Sequence, residues 1–204
     1  MVLLVVLPVA RTAKRTKPRT PSRAPSAAEP HAARTESWWD SHRLAAAAVI
    51  TAITALAYAP SLRGGFILDD YLLLVYNPAI KAADGLGRIW NIIAAHDPWP
   101  LTTTSFWFEW RLWKDAPTGY HVTNLLLHIG DALLIAAILR RLSLPGAWLA
   151  ALLFAVHPVN VESVAWITQR KNLLAMSFFL LANLVKSIRM TRGFPLTSQV
   201  PKTQ

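Results

Sequence analysis

The 204-residue chain carries 21 Lys and Arg against 11 Asp and Glu, and 53% of it is hydrophobic, in discrete blocks separated by polar loops. That is the pattern of a membrane protein, and because the basic residues follow the topology instead of forming a soluble basic face, nucleic acid is excluded as a partner. With no cysteine in the chain, disulfides, thiolate metal sites and cysteine nucleophiles are excluded as well.

The opening MVLLVVLPVA is apolar but only ten residues long, with no basic residue before it. It is too short to span and makes a poor signal peptide, so a misplaced start codon explains it as well as any function. Residues 11–37 are rich in Pro, Arg, Ser and Ala with almost no large apolar side chain, and cannot build a core. Residues 1–43, with eight Lys or Arg against three acids, therefore read as a disordered basic cytoplasmic tail.

A first span is predicted at 44–60 (LAAAAVITAITALAYAP), uncharged and, at about 1.5 Å per residue, nearly as long as a hydrocarbon core is thick. The large outer loop 61–119 follows. Its GGFILDDYLLL holds Asp69 and Asp70, two neighbouring carboxylates at a dielectric boundary. Such a pair suits a general base beside a second group that positions it or binds a cation; a helix N-cap before Tyr71 or a solvated turn after Gly64 and Gly65 is the alternative. The same loop holds five of the nine tryptophans. Within TSFWFEWRLW (104–113), Phe106, Trp110 and Trp113 recur at helical spacing with Glu109 and Arg111 on other faces, which predicts a short helix lying in the membrane interface.

The second span, 120–139, places His121, Asn124, His128 and Asp131 three, four and three residues apart, hence on one helical face. Ionisable groups at membrane depth are costly and face the bundle interior or a wet cavity, which makes them functional candidates, Asp131 foremost. Interhelical hydrogen bonding, chiefly for Asn124, and a His/Asp metal site are the alternatives. A third, shorter span at 146–157 breaks at His157-Pro158. The outer loop 158–172, with His157 at its edge, then offers His157, Glu162, Gln169, Arg170 and Lys171. The two cations stand on the side where topology disfavours them, so a phosphate is their expected partner, with snorkelling to headgroups as the alternative. A fourth span is predicted at 173–185 and an irregular tail at 186–204. The clusters in 1–43, at Arg140-Arg141 and at Lys186, Arg189 and Arg192 all fall on one side, which is the cytoplasmic side.

Four blocks in order, GGFILDDYLLLVYNPAI, WPLTTTSFWFEWRLW, PTGYHVTNLLLHIGDALL and LLFAVHPVNVESVAWITQRKNLLA, resemble the N-terminal membrane part of the bacterial transmembrane and tetratricopeptide-repeat proteins, which are similar to protein O-mannosyltransferases. The resemblance covers about 44–183. It implies an all-α membrane protein, a partial GT-C type multi-span helical bundle in the bacterial plasma membrane. It also implies transfer of a sugar from a polyprenyl-phosphate donor to a hydroxyl acceptor on protein, lipid or glycan, with inversion at the anomeric centre. Asp69 is then the expected base and Asp70 the residue that orients it. His157 and Arg170, with Lys171 beside them, are expected at the donor phosphate, and Glu162, His128 and Asp131 in support. No metal ligand set is expected, though a divalent cation is left open. A non-catalytic membrane scaffold and, through Asp131, a transporter are the competing functions. The likeness ends near Val185, as in a truncated or frameshifted gene, and the 204-residue product is expected to be poorly stable and inactive alone.

Overall fold

The computed structural model describes residues 42–91 and 99–191, and among these every regular element is helical. Residues 1–41 of the tail expected at 1–43, and the stretches 92–98 and 192–204, lie outside the described residues. The elements are α1 (Arg43–Tyr58), α2 (Pro78–Lys81), α3 (Gly85–Ile89), α4 (Pro100–Trp113), α5 (Pro117–Arg141), α6 (Ala147–Val156), α7 (Val161–Ala165) and α8 (Arg170–Thr191). Tighter turns of helix continue α1 through Ala59–Arg63 and flank α7 at Pro158–Asn160 and Ile167–Gln169, and a wide turn occupies Tyr71–Val75.

Local chemistry sets the boundaries. Proline begins α2, α4 and α5, where its missing N–H would have had no helical partner and its fixed φ is already helical. The α5–α6 corner turns on Gly146 at φ +77°, a left-handed conformation open to a residue without Cβ. Pro158 holds His157 extended and so ends α6.

Three helical stretches are long and apolar enough to cross a membrane: Arg43–Arg63, Pro117–Arg141 and Ile167–Met190. A fourth crossing exists if Ala147–Val156 and Pro158–Ala165, which bend by 50° at their break, act as one. Their outward faces carry Leu44, Leu56, Leu126, Leu149, Phe178 and Phe179, all exposed. Where helices meet, the side chains are small: Ala132 and Ala136 of α5 pack with Ala151 and Ala155 of α6 and Ile50 of α1. Small residues allow the close backbone approach on which helix association in lipid relies.

The contacts give the helix directions. Ile50 packs near Ala132 and Ala136 whereas Tyr58 packs near Leu125 and Ile129, so α1 runs antiparallel to α5. His128 meets Ala155 and Arg140 meets Trp148, so α6 is antiparallel to α5 as well. Asn124 pairs with Arg170 and Asp131 with Ser177, both 46 residues apart, so α8 runs parallel to α5 in fixed register. Arg43, Arg140, Arg141, Lys186 and Arg189 thereby gather at one end of the bundle, and the acidic turn and the start of α8 at the other.

Two boundaries differ from the sequence reading. The expected fourth span is the middle of a helix that runs on to Thr191, so the irregular tail does not begin at 186. Residues 186–191 contain neither Pro nor Gly and nothing in them stops the helix. The interfacial helix expected at 104–113 starts at Pro100 instead, and its Glu109 is buried together with Phe106.

α4 clamps α2 and the turn after it. Trp107 Nε1 and Arg111 Nη2 donate to the Ala82 carbonyl at 2.9 and 2.7 Å, and the guanidinium lies 3.3 Å from the centre of the Trp107 ring. Gly85 is enclosed here: a Cβ would stand 1.9 Å from the Ala79 carbonyl oxygen and 2.6 Å from Trp107 Nε1. Gly85→Ala should therefore cost about 1–3 kcal/mol through forced backbone movement. Hydrogen exchange should show faster exchange across Pro78–Ile89 and unchanged protection in α5.

Candidate functional site

Asp69 and Asp70 are adjacent in sequence but separated in environment. Leu68 sits at φ +45°, a left-handed conformation that costs a residue with a Cβ about 1–2 kcal/mol. After it, Asp70 turns inward and is fully buried, while Asp69 faces out. Both Asp70 oxygens are engaged: Oδ1 accepts the Thr168 N–H and Oδ2 the Ile67 N–H, each at 2.9 Å. Asp70 makes no side-chain cap to the Tyr71–Val75 turn; it ties the first long loop to the segment leading into α8. Among the described residues no hydrogen bond or ion pair engages the Asp69 carboxylate.

Arg170 is where structure and sequence reading part. It was expected to face a donor phosphate, yet its side chain is wholly enclosed. Nε donates to Asn124 Oδ1 at 2.8 Å, Nη1 to Ser105 Oγ at 3.1 Å and to Glu109 Oε2, and Nη2 to the Tyr120 carbonyl at 3.0 Å; the guanidinium lies 4.6 Å from the Phe106 ring centre. A guanidinium has five N–H donors, and four are committed to the protein. The geometry makes Arg170 a structural cation joining α4, α5 and α8. Lys171 takes the more open place, half-buried, with its ammonium 4.3 Å from the Trp99 ring centre.

The predicted polar face of α5 exists, with His121, Asn124, His128 and Asp131 all buried. Asn124 is an interhelical bridge: besides accepting from Arg170, its Nδ2 donates to the carbonyls of Trp166 at 3.1 Å and Ile167 at 3.3 Å. His121 lies beside Gly64, so close that a Cβ there would sit 3.1 Å from its Nε2. His128 and Asp131 belong to a lower layer, where His128 Nε2 meets the Ala155 carbonyl at 2.9 Å and Asp131 Oδ1 accepts from Ser177 Oγ at 2.6 Å. Among the described residues no three His, Asp or Glu converge to hold a metal ion.

His157 and Glu162 are exposed. His157 Nδ1 accepts the Val159 N–H at 3.2 Å, which puts the ring proton of the neutral form on Nε2, a donor. Glu162 accepts from Gln169 Nε2 at 3.2 Å. The structure thus joins Asp70, Asn124 and Arg170 through the 164–168 segment and leaves His128 and Asp131 apart from them. Glu109 is the residue that sequence reasoning missed. Its signal was a lone carboxylate in an aromatic helix and a lone arginine at the head of an apolar one, each needing a partner.

No family model matches the sequence, and no solved structure matches it. Curated relatives do match. The human protein O-mannosyl-transferase TMTC4 is 34% identical over 164 residues, covering 66% of this chain and 22% of that protein. A protein O-mannosyl-transferase of Caenorhabditis elegans is 32% identical over 156 residues, 69% of this chain and 22% of that protein. The mouse protein O-mannosyl-transferase TMTC1 is 33% identical over 177 residues, 75% of this chain and 18% of that protein. The chain therefore spans about a fifth of the length of these relatives. They are animal proteins, whereas the sequence pattern had suggested a bacterial repeat-protein family.

The Arg170–Glu109 pair makes a stability prediction. Glu109→Gln leaves a buried guanidinium without its counter-charge and should cost about 3–5 kcal/mol. Glu109→Leu with Arg170→Met should cost clearly less than the two single changes added together. Denaturant unfolding in micelles measures both; strict additivity would mean that the pair is not coupled.

Proposed function

We propose that the chain is the membrane segment of a glycosyltransferase that moves a mannose-like sugar from a polyprenyl-phosphate donor to a hydroxyl on protein, lipid or glycan. Its homologues are O-mannosyl-transferases, which supports the reaction class. The observation that carries the residue assignment is the divided carboxylate pair, one oxygen pair held by backbone N–H groups and the other free. We place the N-terminus in the cytoplasm and the acidic turn at the opposite face, the outer face of the plasma membrane in a bacterial host.

In this reading Asp69 accepts the proton of the acceptor hydroxyl as its oxygen attacks the anomeric carbon from the side opposite the phosphate. The bond from C1 to the phosphate oxygen breaks, and the electron pair leaves with the lipid phosphate. Lys171, held against Trp99, and the Nε2–H of His157 are the groups suited to that departing charge. Asp70 acts one step removed: its bond to Thr168 holds the turn that presents Asp69 next to the head of α8. Arg170 serves the reaction by keeping that head in place.

The test uses membranes from cells expressing the natural gene product, supplied with labelled polyprenyl-phosphate mannose and a hydroxyl-bearing peptide. Asp69→Asn should lower transfer by at least about 100-fold with membrane insertion unchanged, and Asp69→Glu should retain part of the activity. Undiminished transfer in Asp69→Asn would remove it from the base role. If the unaltered protein neither bound nor consumed the donor, a scaffold would replace the enzyme.

A further inference from the structure

The turn that carries Asp69 has two faces. Its inward face recurs at every fourth residue. Phe66 meets the Tyr120 ring edge to face with centres 5.9 Å apart, Asp70 accepts the Thr168 N–H, and Leu74 is fully buried among Ile80, Phe106, Tyr120 and Ile167. Two residues on from each, Leu68, Leu72 and Tyr76 project the other way, 72, 70 and 69% exposed. Ile67 and Tyr71 are exposed beside them, and the rings of Tyr71 and Tyr76 lie 5.9 Å apart, inclined at 31°. Among the described residues nothing seals this outward face, and Asp69 is the exposed charge within it.

The inward contacts also fix the level of the turn. Tyr120 is the fourth residue of the membrane-length stretch Pro117–Arg141 and Thr168 the second of Ile167–Met190, while Gly64, against His121, directly follows the stretch that ends at Arg63. At about 1.5 Å per residue, these ties lie within about one helical turn of the ends of the membrane-length helices. The outward face therefore stands where hydrocarbon gives way to headgroups. In water it would be a contiguous apolar patch, the kind of surface that marks an interaction site. Its composition suits an interface: leucine for the acyl side, and tyrosine, with an apolar ring and a wet hydroxyl, for the headgroup side. A bound peptide would need hydrogen-bond partners for its backbone, and the five outward side chains offer only two phenol groups.

We propose that the 67–76 turn is a lipid-inserting wedge. Leu68, Leu72 and Tyr76, flanked by Ile67 and Tyr71, enter the leaflet at that end of the bundle as far as the uppermost acyl groups. An ionised carboxylate cannot follow them into hydrocarbon, so Asp69 marks the limit of insertion and stays at the level of the lipid phosphates. The partner is the lipid surface itself, and the anchoring is independent of any reaction at Asp69.

The chain has no cysteine, so a nitroxide can be placed singly through Leu68→Cys, Leu72→Cys or Tyr76→Cys. Gly87→Cys is the water-facing control: a Cβ there meets nothing within 4 Å, and the exposed Asp84–Arg88 ion pair flanks it. All four positions are exposed, so the labels spare the packing. In lipid nanodiscs, power-saturation EPR compares access of oxygen, which concentrates in the bilayer, with access of a water-soluble nickel chelate. Labels at 68, 72 and 76 are expected to favour oxygen, and the label at 87 the chelate. Leu68→Ser with Leu72→Ser should shift the label at 76 from oxygen towards the chelate. Chelate access at 68, 72 and 76 in the otherwise unaltered chain would overturn the wedge, and loss of that access on adding a hydroxyl-bearing peptide would make the face a protein-docking surface instead. Labels closed to both reagents would mean that protein covers the face, which also overturns the lipid assignment. So would a label at 76 that keeps its depth in the double serine variant. The measurement needs neither donor nor turnover, so its failure condemns the wedge whatever the fate of Asp69 as base.

Discussion

A guanidinium cannot be taken out of water unless nearly all of its N–H groups find acceptors, and the end of the bundle that bears the acidic turn is built around meeting that demand for Arg170. Its partners come from two helices besides its own: Ser105 and Glu109 from α4, Asn124 and the Tyr120 carbonyl from α5. Satisfying the cation therefore fixes where an aromatic loop helix lies against two membrane-length helices. Asn124 extends the arrangement, because the amide that accepts from Arg170 also donates to the carbonyls of Trp166 and Ile167. The next residue, Thr168, offers its N–H to Asp70. An unbroken path of polar contacts thus leads from a buried charge to the exposed carboxylate beside Asp70.

That path explains why two identical neighbouring side chains have different surroundings. Asp70 is spent on backbone N–H groups, one accepted by each of its two oxygens. Asp69 keeps its lone pairs because the left-handed Leu68 reverses the local direction of the chain before the pair begins. The local strain is small beside the contacts that hold the turn, and strain of this kind is commonly found where a side chain must be presented at an unusual angle.

Much of this was legible in the residues. The uncharged run of α1 and the spacing of His121, Asn124, His128 and Asp131 predict a membrane-length helix and a buried polar face, since both depend only on helical geometry. The bridging role of Asn124 followed from the same reasoning. The partner of Arg170 did not, because Glu109 lies 61 residues away and no local period links them. A helical wheel identifies which residues of α4 share a face; it does not say whether that face meets lipid or protein. Phe106 went inward with Glu109, whereas Trp113 stayed exposed. Arg170 and Lys171 were indistinguishable as sequence, and only tertiary packing makes one a strut and leaves the other available.

The parallel α5–α8 pair carries a mechanical consequence. Its two polar ties, Asn124 with Arg170 and Asp131 with Ser177, are seven residues apart on each helix, about two turns. They act like two teeth of a rack: axial slippage by one turn, about 5.4 Å, would unseat both at once and leave the buried Asn124, Asp131 and Arg170 without these partners. Piston motion of α8 is thereby blocked. Any rearrangement of the bundle must be accommodated by tilting of whole helices or by bending at hinge points such as the His157-Pro158 break.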